Sequence, residues 1–172
     1  KNKPYLDKSN FEGDSRLRQW NFNVSHQGKY VAIVSDPFYL CGVDVVEFKY
    51  PFSVSNGSDK MDDYLKLFRN YFTESEWENM AMGEKSDSEK NRIFLIFWAV
   101  KESLVKAIGF GLGFDLRRIE LSISANENGL FFVMVSIDSF VRSDWKVDLF
   151  ELGTYAISVA RGPSKDCDFL SK

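Results

Sequence analysis

Phe94-Leu95-Ile96-Phe97-Trp98-Ala99-Val100-Lys101-Glu102-Ser103-Leu104-Val105-Lys106-Ala107-Ile108 is the stretch on which the fold turns, and Gly109-Phe110-Gly111-Leu112-Gly113 follows it. Stepping 100° per residue from Phe94, the side chains of Phe97, Trp98, Val105 and Ile108 fall within about 60° of it, as one apolar stripe. The spacing predicts one long helix from about Asp87 to Ile108, stopped by the glycines. Lys101 falls in the middle of the stripe. Glu102 and Lys106, spaced i, i+4, share its flank.

On the N-terminal side, Trp20 to Ser25 alternates apolar and polar residues and reads as a strand with Trp20, Phe22 and Val24 on one face. His26-Gln27-Gly28-Lys29 reads as a tight turn, and Tyr30 to Val34 as the returning strand. A third, largely buried strand is expected over Cys41 to Phe48, then a loop over Pro51 to Ser58. Leu65, Phe68, Tyr71 and Phe72 predict a helix from Asp62 to Phe72. Thr73-Glu74-Ser75-Glu76 is a capping box opening a short helix that runs to Met82. Beyond the long helix, strands are expected at Leu116–Ser124, Leu130–Ile137, Trp145–Leu149 and Tyr155–Ala160. Strands, then helices, then strands is the pattern of an α+β domain, here a small antiparallel sheet packed on a long helix. Residues 1–20 read as a polar linker or arm, 21–162 as the domain and 163–172 as a tail.

Composition narrows the chemistry. The 172 residues are 44% hydrophobic and 27% charged, enough for a buried core. Lysine and arginine total 22 against 25 acidic residues, a net charge of −3, which disfavours non-specific nucleic-acid binding. Cys41 and Cys167 exclude a disulfide-rich scaffold and a four-thiolate zinc site. With His26 the single histidine, a two-histidine metal site is excluded too. The longest apolar run, Ile93 to Val100, is far short of the ~20 residues of a membrane span.

The candidate chemical groups are few. Asp44 stands in the apolar strand Cys41-Gly42-Val43-Asp44-Val45-Val46, and a buried carboxylate there must cap a turn, pair with a base or bind a cation. Glu102 and Lys106 read either as an ordinary helical ion pair, with Lys101 snorkelling, or as a carboxylate for a metal and ammonium groups for phosphates. His26 is either a surface histidine or part of an anion site with Ser25, Gln27, Gly28 and Lys29. Glu76 is accounted for by its capping box. Two carboxylates, two lysines, a serine and a histidine suit Mg²⁺-assisted chemistry on a phosphorylated ligand.

Four motifs then occur in order: Phe22-Asn23-Val24-Ser25-His26, Gly42-Val43-Asp44, Phe72-Thr73-x-x-Glu76-Trp77, and Trp98-Ala99-Val100-Lys101-Glu102-Ser103-Leu104-Val105-Lys106-Ala107, continued by Gly109 to Phe114. Together they resemble the 4′-phosphopantetheinyl transferase family of the surfactin-synthetase-activating type, and within it the eukaryotic members of the aminoadipate-semialdehyde dehydrogenase kind. The resemblance implies an enzyme that moves the 4′-phosphopantetheine arm of coenzyme A onto a serine of an acyl or peptidyl carrier protein. Adenosine 3′,5′-bisphosphate would be released, Mg²⁺ would assist, and the setting would be the cytosol.

Residue by residue, the resemblance implies Asp44 and Glu102 as the metal carboxylates and Lys106 as a lysine on the diphosphate. It implies coenzyme A contacts from Asn23, Val24, Ser25 and His26, with His26 on the phosphates. Lys101 is expected to serve as a second phosphate-facing ammonium. Lys1 and Lys3 lie in a segment similar to the family's Gly-Lys-Pro, with Asn2 replacing the glycine. Glu102 is the first choice of base for the attacking hydroxyl and Glu76 the second. Many bacterial members carry an acid two residues after the metal aspartate. Here that position is Val46, and Glu47 lies on the opposite strand face. Family members of this type consist of two similar α+β halves, of which this chain matches the linker and the second. The missing half implies an exposed apolar half-interface open to homo-association. A coenzyme-A-binding or interaction module that has lost transfer is the alternative.

Overall fold

The computed structural model describes residues 20–57, 60–81 and 83–163. Lys1, Lys3 and most of the expected arm and tail lie outside the described residues. Among the described residues, three small antiparallel sheets accompany one long helix. Strands β1 (Asn21–Gln27) and β2 (Tyr30–Asp36) form a hairpin. β3 (Tyr39–Glu47) leads into short helices α1 (Phe52–Ser55), α2 (Met61–Lys66) and α3 (Glu74–Ala81), then α4 (Asp87–Ile108). β4 (Ile119–Ala125), β5 (Phe131–Ile137) and β6 (Phe140–Val141) follow, then β7 (Lys146–Leu152) and β8 (Tyr155–Pro163). The sheet orders are β1-β2, β3-β8-β7 and β4-β5-β6.

The long helix spans the residues that its periodicity predicts. Ser86 and Glu89 form a reciprocal capping box at its start, and Gly109 ends it in the left-handed conformation at φ 89°. Its apolar residues Phe94, Phe97, Val100, Leu104 and Val105 pack into the core with Ile119, Leu121, Val135, Leu149 and Ala160. The helix expected over 62–72 is shorter: α2 stops at Lys66, and Arg69–Tyr71 forms a separate 3-10 turn. There Phe68, Phe72, Phe94 and Trp98 interleave their rings, so tertiary aromatic packing overrides local helix periodicity. The expected loop after Pro51 contains the one-turn helix α1.

The first hairpin differs in detail from its reading. β1 runs on through His26 and Gln27, so the turn is only Gly28-Lys29, with Gly28 at φ 56°. Its inward face is the polar one. Asn23 and Ser25 are buried, whereas Val24, Val31 and Ile33 are exposed. Asn21 and Asn23 accept the backbone N–H groups of Cys41 and Val43 on their Oδ1 atoms, both at 3.0 Å. Ser25 Oγ accepts that of Val45 at 3.3 Å. The hairpin therefore docks on the free edge of β3 through side chains two residues apart, satisfying alternate main-chain donors.

Candidate active site

Where the hairpin meets β3 and α4, an open cleft is lined by Ser25 and His26 from β1, Asp44 and Val46 from β3, and Trp98, Glu102 and Lys106 from α4. Alternation along β3 turns Asp44 and Val46 to the cleft. Glu47 turns away and pairs with Lys49 at 2.7 Å. On α4, the i, i+4 spacing puts Trp98, Glu102 and Lys106 in one row.

Lys106 does not pair along its own helix with Glu102. Its Nζ crosses to Asp44 Oδ1 at 2.5 Å, and also donates to Ser25 Oγ at 3.1 Å and to the Val43 carbonyl at 3.3 Å. Ser25 donates its hydroxyl proton to the same Asp44 oxygen at 2.9 Å. One ammonium thus ties three elements together at one carboxylate. Burial pushes the Asp44 carboxyl above its ordinary range even though Lys106 pulls it down. Burial, and then the neighbouring Asp44 charge, raises Glu102 as well, with Lys106 opposing. Two carboxylates of raised proton affinity thus share one lysine at the cleft.

Among the described residues, no group of three or more His, Cys, Asp or Glu is placed to hold a metal ion. Mg²⁺ nevertheless needs only one or two carboxylates when water and substrate phosphate supply the rest. Asp44 and Glu102, hard oxygen donors deficient in positive charge, fit that demand, and the cleft contains no thiol that would favour a softer metal.

Three expectations from the sequence are corrected. Lys101 neither snorkels nor faces the cleft. Its side chain is 0% exposed, and Nζ donates to Glu76 Oε2 at 2.8 Å and to the carbonyls of Leu116 at 2.8 Å and Ile119 at 2.6 Å. Glu76, also 0% exposed at its side chain, accepts the N–H groups of Thr73 and Leu121, both at 2.9 Å. Fully buried, away from the cleft and with every ammonium proton used, Lys101 is a sealed tie between α3, α4 and the start of β4 rather than a phosphate ligand. Glu76 is correspondingly no candidate base. Asn23 also lies outside the cleft lining, its carbonyl oxygen engaged by Val43. Val24 stands at the rim, 39% exposed, beside His26. Trp98, expected in the core stripe, packs on Phe68 and Phe72 while also lining the cleft.

Comparison with known proteins follows the same lines. Residues 40–160 match the family model described as the 4′-phosphopantetheinyl transferase superfamily. Residues 1–38 match a model described as 4′-phosphopantetheinyl transferase, N-terminal. The two matches meet between β2 and β3, so the docked hairpin falls on the N-terminal side of that boundary. The chain is 39% identical over 124 residues to an L-aminoadipate-semialdehyde dehydrogenase-phosphopantetheinyl transferase of Xenopus laevis, covering 72% of this chain and 38% of that protein. The Homo sapiens protein of the same name is 34% identical, with 72% and 37% covered. The chain therefore spans well under half the length of these relatives. A crystal structure of a holo-(acyl-carrier-protein) synthase from Bacillus anthracis in complex with coenzyme A (3′,5′-ADP) overlaps at a TM-score of 0.48 and 19% identity, over 74% of this chain and 99% of that one. With the superfamily model matched from the start of β3 through most of β8, the chain belongs to the 4′-phosphopantetheinyl transferase superfamily.

Proposed function

We propose that this chain carries the catalytic half of a 4′-phosphopantetheinyl transferase, which moves the phosphopantetheine arm of coenzyme A to a serine hydroxyl of an acyl or peptidyl carrier protein in the cytosol. The carrying observation is the convergence of Ser25, His26, Asp44, Glu102 and Lys106, from three separate elements, on one cleft.

In this reading Asp44 and Glu102 would hold Mg²⁺, which when bound offsets the negative charge of the coenzyme A diphosphate. The chain's own groups do the rest. Lys106 lies within reach of the same cleft and neutralises charge that builds on the phosphate oxygens. His26, on the exposed rim, adds a further donor there. The Glu102 carboxylate, whose proton affinity burial has raised, accepts the proton of the attacking serine hydroxyl. Oγ bonds to the β-phosphorus, the bridging P–O bond breaks, and adenosine 3′,5′-bisphosphate leaves. Val24, Val31 and Ile33 form an exposed apolar strip on the hairpin, continuous with the cleft rim. In the same reading it receives the remainder of the polypeptide or, in its absence, a second copy.

The test is mass spectrometry of an apo carrier protein incubated with coenzyme A, Mg²⁺ and the full-length protein. A phosphopantetheine-sized mass gain that requires Mg²⁺ is expected. Coenzyme A binding with no mass gain on any carrier would overturn transfer in favour of a binding module.

A further inference from the structure

The backbone of β3 touches the backbone of α4 at Gly42. A Cβ at that position would lie 2.1 Å from the Ser103 carbonyl oxygen, 2.4 Å from the Ala107 nitrogen and 2.9 Å from its Cα. Atoms of these types rest at about 3.5 Å, and what they meet here is helix main chain that cannot swing aside. Any side chain at 42 therefore moves strand and helix apart by about 1 Å.

The position of this contact relates it to the cleft. Asp44 is two residues along the same strand, and Glu102 and Lys106 are each one residue before the helix groups that Gly42 touches. The hairpin side chains hold to the same strand segment, at Cys41, Val43 and Val45. Widening the gap at Gly42 thus carries Asp44, Ser25 and His26 one way and Glu102 and Lys106 the other. The 2.5 Å contact between Lys106 and Asp44 is made across that gap. Resting on the function proposed above, we infer that Gly42 is a positioning residue: its missing side chain sets the distance between the strand-borne and helix-borne halves of the site.

Gly162 supplies the internal control. A Cβ there would meet the Trp145 indole at 2.4 Å, a severe overlap with a side chain rather than main chain, located away from the cleft. The experiment compares Gly42→Ala and Gly162→Ala in the full-length protein. It reads thermal melting, the Lys106 ammonium signal in metal-free NMR at low temperature, Mn²⁺ affinity, and carrier-protein transfer. Both variants are expected to melt earlier. Only Gly42→Ala should lose the Lys106 signal, bind Mn²⁺ roughly 10–100-fold more weakly and show kcat lowered about 10²-fold. A folded Gly42→Ala protein with the signal intact, and Mn²⁺ affinity and kcat within twofold of the parent, would overturn the inference. So would equal losses in both variants, or a Gly42→Ala chain that no longer folds, since the glycine would then serve the fold and not the site. If the parent transfers nothing, the function fails alone, because the ammonium signal still reads the spacing.

Discussion

Helix α4 carries two lysine–carboxylate pairs five residues apart, and they are built in opposite ways. Lys101 and Glu76 are sealed at 0% exposure, with partners for every ammonium proton. Lys106 and Asp44 stand at an open cleft, 29% and 10% exposed at their side chains, beside a second carboxylate that raises the demand for positive charge. The first pair is complete as it stands. The second faces a cleft that Glu102 also lines. Each lysine has three acceptors, so exposure to a cleft and the neighbouring Glu102 carboxylate, more than hydrogen-bond count or the chemical identity of the pair, separate the structural ion pair from the candidate reactive one.

The sharpest way to break that contrast is at Glu102. Glu102→Gln, nearly isosteric but unable to take a proton or provide a negative ligand, should lower transfer about 10³-fold with the fold intact. A near-parental rate in the carrier mass-shift assay would make the open carboxylate as inert as the sealed one. At the sealed pair the effect should appear in stability. Lys101→Met leaves Glu76 charged and buried, so denaturant unfolding should register a loss of about 3–5 kcal/mol. Full stability in that variant would erase the distinction from the other side.

Under the proposed function, Lys106→Ala should raise the coenzyme A KM and lower kcat together, by about 10²-fold in kcat/KM, because its charge would face the phosphates in both ground and transition states. Val46→Glu sharpens the comparison by adding a carboxylate to the cleft, where Val46 already lines the wall. Titration calorimetry should show Mg²⁺ binding tightened by roughly threefold to tenfold.

The smallest effect concerns pH. Asp44 and Glu102 have raised proton affinities in the folded chain, so their ionisation costs stability. That cost is absent below the ordinary carboxylate range and grows as pH rises through the raised folded values. Metal-free Glu102→Gln should therefore melt about 1–2 °C higher at pH 7, with the gain vanishing in acid. A constant gain across pH would mean that the charge is not its source.

Much of this was legible along the chain. The 3.6-residue period of Phe94 to Ile108 and the glycine stop define α4 within its observed ends, because a long amphipathic helix writes its burial into local sequence. Strict alternation on β3 likewise placed Val46 with Asp44 and set Glu47 apart. The Ser86-x-x-Glu89 capping box is a further local signal of where α4 starts.

What only the tertiary structure decided is the use of each polar group. Lys101, Glu102 and Lys106 look alike as charges on one helix, yet the first is sealed against Glu76 and the third reaches Asp44 across 62 residues of sequence. The β1 alternation puts Trp20, Phe22 and Val24 on one face without saying which face turns inward; β3 had alternate N–H donors to satisfy and drew Asn21, Asn23 and Ser25 inward. Periodicity records how much of a side chain is hidden from water. Which partner hides it depends on non-local geometry, set here by backbone contact at Gly42 and by hydrogen bonds between segments far apart in the chain.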